Sequence, residues 1–186
     1  MKHLPICVAA IVLLAAHATA QAPIGPGAIK ISKIQPAVTK TPDFQVTGTT
    51  AKRSKPGDWL EVEVEFENKA DEIDELTFKY TIMVEKKLLD GEVTHVSIPK
   101  GRERYSIVYV APRSLEKLTG GRPLSPGSIE NVWVIASRQG QVLDQMAFKP
   151  SAIPNLPHLS GMVLNKNETP FAPLFFDRYE AIKTAK

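Results

Sequence analysis

The sequence predicts an all-β protein, an antiparallel β-sandwich of about seven strands with an aromatic C-terminal extension. The clearest sign is residues 59–67, W-L-E-V-E-V-E-F-E, where Leu60, Val62, Val64 and Phe66 alternate with Glu61, Glu63, Glu65 and Glu67. A period of two makes a strand with one dry and one wet face, and the dry face needs a second layer to cover it. Further alternating segments follow at short intervals, separated by Pro, Gly and Asp turn residues. No long helical period lies between them, which argues against parallel βαβ units and for Greek-key links.

The first twenty residues stand apart. Lys2, an apolar run over residues 4–16 and Ala18-Thr19-Ala20 form a secretory signal peptide with cleavage before Gln21. The apolar run is short for a bilayer span, and none follows that is longer. Cys7, the only cysteine, lies inside this segment, so the exported chain has no disulfide, cysteine zinc site or cysteine nucleophile. It must hold together by core burial alone. Loss of Lys2 takes the formal charge from +3 to +2, with both signs interspersed. The nearest thing to a basic stripe, Lys100-Gly101-Arg102-Glu103-Arg104, reads as a hairpin loop, and nucleic acid is not an expected partner.

Residues 1–20 are thus read as signal, 21–27 as a flexible Pro/Gly leader, 28–149 as the sandwich and 150–186 as a Pro-rich extension with a docking segment. Residues 28–34 make a first edge strand that Pro36 ends. Residues 44–48 form a short second piece, 49–56 a polar connection, and Pro56-Gly57-Asp58 turns into the central strand. Leu76, Phe78, Tyr80, Ile82 and Val84 line one face of the next strand. Asp90-Gly91 is read as a tight turn, before a strand over residues 93–98 with Val96 and Ile98 on one face. Pro99-Lys100-Gly101 leads into residues 104–110, apolar on both faces and therefore central. Residues 114–118 form one helical turn, with Ser114 as N-cap and Gly120-Gly121 as stop. Residues 130–137 and 142–149 pair across Arg138-Gln139-Gly140-Gln141. Residues 162–164 add a short strand. From Pro173 a short helix is expected to place Phe175, Tyr179 and Ile182 on one side. Alone in water it would be marginal, so it must dock.

Little in the sequence carries chemistry. His95 and His158 lack any metal or catalytic spacing, and His95 reads as an ordinary sheet residue. No catalytic residue, cofactor or metal site is expected, and the protein is not expected to be an enzyme. Residues 71–75 concentrate four carboxylates without the order of a calcium loop. Glu61, Glu63 and Glu65 form either an acidic stripe for a basic partner or a wet face balanced by cross-strand cations such as Lys79. Asn167-Glu168-Thr169 matches a glycosylation triplet. Trp59 and Trp133 read as packing residues. The candidate contact residues are Phe171, Phe175, Phe176 and Tyr179 of the tail, with Glu61, Glu63 and Glu65.

Together, the signal peptide, W-L-E-V-E-V-E-F-E, R-Y-S-I-V-Y-V-A-P, E-N-V-W-V-I-A-S and the closing F-F-D-R-Y-E-A-I resemble the pilus-like immunoglobulin-fold proteins of verrucomicrobial bacteria. These are exported single-domain proteins associated with type IV pilus genes. The resemblance covers most of the exported chain and implies an immunoglobulin-like sandwich at the periplasm, outer membrane or cell surface. It also implies protein partners, either pilus components or further copies of itself. The alternatives are a periplasmic adaptor or chaperone-like domain and a carbohydrate-binding accessory module, the latter requiring an exposed Trp59 or Trp133.

Overall fold

The computed structural model describes residues 24–25, 27–44 and 56–184. The signal segment, most of the leader, most of residues 44–48 and the polar connection before Pro56 lie outside them. Among the described residues nine strands form two sheets: β1 (Ile29–Lys40), β2 (Asp58–Asn68), β5 (Gly101–Val110) and β9 (Val163–Asn165) in one. The other has β7 (Gln141–Ala147), β6 (Ile129–Arg138), β3 (Ile73–Val84), β4 (Lys87–Ile98) and β8 (His158–Ser160), in that spatial order. The order β1-β2-β5 facing β7-β6-β3-β4 is an immunoglobulin-like Greek key whose fourth strand joins the sheet of the third. All pairings are antiparallel except the short β4–β8 ladder, which is parallel.

The alternation in β2 does what it predicts. Leu60, Val62, Val64 and Phe66 are fully buried and meet Phe78, Tyr80 and Ile82 of β3 and Val132 and Val134 of β6 in one core. Burying such side chains supplies about 1.5–3 kcal/mol each, which is how a chain without disulfides can hold two sheets together.

Several elements differ from expectation for local reasons. Pro36 does not end β1 but sits within it opposite Val62, which an edge strand tolerates because one side of its backbone has no strand partner. The β3–β4 turn is Glu85-Lys86, with φ of 49° and 56°, and Asp90-Gly91 lies inside β4. A two-residue turn with both residues left-handed is normally marked by Gly or Asn, and its absence hides this one. Gly91 serves close approach instead, since a Cβ there would lie 2.4 Å from Val163 Cβ. Val93 and His95, not Val96, carry the inward face of β4; Ser97, at φ 52°, interrupts the alternation so that Ile98 is also buried. The helix α1 (Pro112–Thr119) is longer than expected and has Pro112 in its first turn. Its N-cap is Ala111 rather than Ser114, and left-handed Gly120 closes it.

Candidate functional site at the docked C-terminal segment

Residues 148–184 wrap the sandwich. Asn131 Nδ2 donates to Lys149 O (2.8 Å) and Ser151 Oγ (2.8 Å), and Trp133 Nε1 donates to Ser151 O (2.7 Å), pinning the start of the segment to β6. It then adds β8 beside Leu88, Leu89 and Asp90, and β9 beside Val108, Tyr109 and Val110.

Beyond β9 the chain covers the outer face of β2 and β5, and the two-faced apolarity of β5 finds its cause there. Val108 and Val110 point into the core, while Ile107 and Tyr109 join Trp59 and Phe171 in a second, smaller cluster. The Phe171 ring stacks on Tyr109 at 4.4 Å and meets Trp59 edge-on at 5.5 Å. A capped 3₁₀ turn at Lys166–Glu168 delivers Phe171. Thr169 Oγ1 donates to Lys166 O and accepts from Phe171 N–H, so Thr169 of the glycosylation triplet is buried within the turn.

The glutamate face is likewise occupied from above. Arg178 donates to both Glu63 oxygens, at 3.0 and 2.8 Å, while Tyr179 O–H donates to Glu63 at 2.8 Å. The Arg178 guanidinium lies over the Tyr105 ring at 3.8 Å. Burial pushes the Glu63 carboxyl up, but the bonds from Arg178 and Tyr179 outweigh it and hold the group below the usual range. Glu61 moves the other way: burial raises it, and the bond from Tyr109 only partly offsets that. Lys79, the expected counter-cation, lies in the opposite sheet. Glu65 is half-buried on the same face.

The third attachment runs through the core. Ile182 bridges His95, with Val96 N–H donating to Ala181 O (2.9 Å) and Lys183 N–H to Thr94 O (2.8 Å). His95 is fully buried; its Nδ1 lies 3.0 Å from Glu180 O and its Nε2 2.7 Å from Ser106 Oγ. A carbonyl can only accept, so Nδ1 carries the hydrogen. Tyr80 O–H donates to Ser106 Oγ at 2.6 Å, and the serine hydroxyl donates onward to Nε2. Every donor from Tyr80 to the Glu180 carbonyl thus has one acceptor, with the imidazole neutral. Burial pushes His95 down to about 4.

Residues 170–180 are not the expected helix but a run of turns, with Ala172 N–H bonded to Thr169 O, Leu174 N–H to Phe171 O and Arg178 N–H to Phe175 O. Pro173 could have opened a helix, where its missing N–H costs nothing, so the cause lies in what the segment must reach. Phe171 and Tyr179 must both reach the sheet, which a chain looped outward between them achieves. The consequence is that Phe175, at φ 50°, and Phe176 project outward, 62% and 82% exposed. Of the expected contact residues, Phe171 is buried, Tyr179, Glu61 and Glu63 are engaged within the chain, and Phe175 and Phe176 face solvent.

Other candidate groups are structurally occupied. In the acidic loop, Asp71 pairs with Lys100, Asp74 with Arg138 and Glu75 with Lys183, and no cluster able to hold a metal occurs among the described residues. Trp59 and Trp133 are each only 7% exposed, with both indole N–H groups bonded, so neither offers the platform a carbohydrate module needs. A shallow groove of about 320 Å³ lies between Trp133, Ile135, Ala147 and residues 151–153. No helix among the described residues is long and apolar enough to cross a membrane.

The chain belongs to a protein family whose model matches residues 20–186. No curated protein matches it. Among solved structures, a protein from Akkermansia muciniphila aligns with a TM-score of 0.73 at 24% identity, over 85% of this chain and 94% of that one. This likeness shows a shared fold.

Proposed function

We propose that the protein is a non-catalytic, exported immunoglobulin-like module of the cell envelope or surface, a structural or interaction component associated with pili, and that Phe175 and Phe176 form its contact with another protein. The observation that carries the reading is the contrast within one segment. Every attachment of the tail is satisfied internally, yet two adjacent phenylalanines are held outward, one of them in a left-handed conformation that costs a non-glycine residue energy. Exposed aromatic pairs on an ordered backbone are what protein contacts use as anchors. The sequence resemblance to pilus-like proteins supports the pilus association, and the shared fold with the Akkermansia protein supports the immunoglobulin-like module. The family match beginning at residue 20 agrees with export after a cleaved leader.

The test is fractionation of native cells into sheared surface filaments, periplasm, outer membrane and medium, with an antibody to this protein. Wild type is expected with the filaments. Phe175→Ala/Phe176→Ala is expected to leave them while keeping its melting temperature. A wild-type signal confined to the periplasm would overturn the pilus association and favour the adaptor reading.

A further inference from the structure

The two rims of the sandwich are closed in different ways. At the β1/β7 rim, closure belongs to the sheets themselves. β1 carries an irregularity between Ile31 and Lys33, Pro36 in its second half and exposed Lys30 and Lys33, and its Ile31 N–H is taken by Asp144 Oδ2 of β7 at 2.6 Å. Bulge, proline and lysine are the devices that stop an edge from accepting another strand.

The β4/β5 rim has its own irregularities, at Ser97 and Glu103, but they lie toward one end and leave most of the edge regular. Its backbone groups are met by the C-terminal segment: residues 158–160 on Leu88 to Asp90, 163–165 on Val108 to Val110, and 181–183 on Thr94 to Val96. Gly91 leaves room for Val163 to seat there. This rim is therefore a strand-accepting edge whose present occupant is a terminal segment. That segment is joined to the sandwich through residues 152–157, A-I-P-N-L-P, a stretch with no strand or helix. The pins on Lys149 and Ser151 end just before it.

We infer that residues 158–184 exchange between copies of this chain, so that the β4/β5 edge of one copy receives the same segment from a second. An exchanged segment makes every contact the resident one makes. The two states differ only at the connector and in effective concentration, which is why such exchange is a low-cost route to assembly. The neutral His95 chain to Glu180 and the Arg178–Glu63 pair act as latches that set how often the segment lifts. This inference rests on the assembly reading above and names the surface through which copies would join.

The test uses the full chain with Cys7→Ser, leaving introduced cysteines as the only thiols. Val110→Cys and Val163→Cys occupy paired positions on β5 and β9. The two single variants are mixed, held at pH 5 to loosen the latch, returned to pH 8 and oxidised. A disulfide-linked dimer containing one of each is expected. The double variant, oxidised beforehand, is expected to lock within one chain and stay monomeric by light scattering until reduced. Val108→Cys with Asn165→Cys serves as a second pair should the first perturb the core. Absence of mixed dimers with both pairs overturns the exchange. So does a locked variant that self-associates like the reduced one, although that result leaves assembly through Phe175 and Phe176 standing. Loss of filament association by wild type, with mixed dimers still forming, would instead fail the pilus reading alone.

Discussion

Acidification should loosen this protein through one buried group. His95 ionises near pH 6.5 in an unfolded chain, whereas in the fold burial holds it at about 4 against the smaller opposing effect of the Glu180 and Ala181 backbone. The native state therefore binds fewer protons than the unfolded state between those values, and stability falls as pH falls through that window. The contribution is fully present above about pH 6.5 and is spent near pH 4. Between pH 7 and pH 5 the loss comes to about 2 kcal/mol, from a total of about 3 kcal/mol. For a chain of this size that is about 4–8 °C in melting temperature. A protonated imidazole would also turn an N–H toward Ser106 Oγ, which already accepts from Tyr80. The serine hydroxyl would then lose its acceptor in the core. Urea unfolding at a series of pH values, for wild type and His95→Gln, reads the effect. The charged groups near the site, Glu180, whose carboxyl is raised by burial, and its partner Arg104, are common to both proteins. The variant should be less stable at pH 7 yet shallower between pH 7 and 5. Parallel profiles would refute the assignment of the acid response to His95.

Two further outcomes test the docking itself. Phe171→Ala removes a ring packed between Tyr109 and Trp59 and is expected to cost about 3 kcal/mol, with hydrogen exchange rising in residues 163–183 before the rest of the sandwich; uniform exchange would argue against a separately docking segment. Gly91→Ala places a methyl 2.4 Å from Val163 Cβ and is expected to destabilise by about 1–3 kcal/mol, with Val163→Gly restoring part of the loss in the double variant; additive losses would show that the contact is not what glycine serves there.

The sandwich was legible in the sequence because its signals are local. Alternation along β2, β3 and β5 depends only on which side of a strand each residue faces, and the β6–β7 turn carries its glycine in the expected place. The misread turn at Asp90-Gly91 shows the limit of that reading. A glycine marks the need for bare backbone, but whether a turn or a neighbour such as Val163 requires it is settled by a contact across the sequence. The glutamates of β2 show the same limit. The pattern established that they share one face, and only the return of Arg178 and Tyr179 decided that Glu63 faces the protein's own tail. One hint was available early, the apolar outer face of β5, since Ile107 and Tyr109 opposite Val108 and Val110 required cover on both sides. What provided the cover was not visible. The tail's apolar residues fit a helical period on paper, but the sheet beneath selects a looped path that buries Phe171 and Tyr179 and leaves Phe175 and Phe176 outside. Sequence alone determined the inward faces of β2, β3 and β5, because burial period is a property of a single segment. Tertiary structure decided how the rims close and which aromatics remain free, because those depend on segments meeting from opposite ends of the chain.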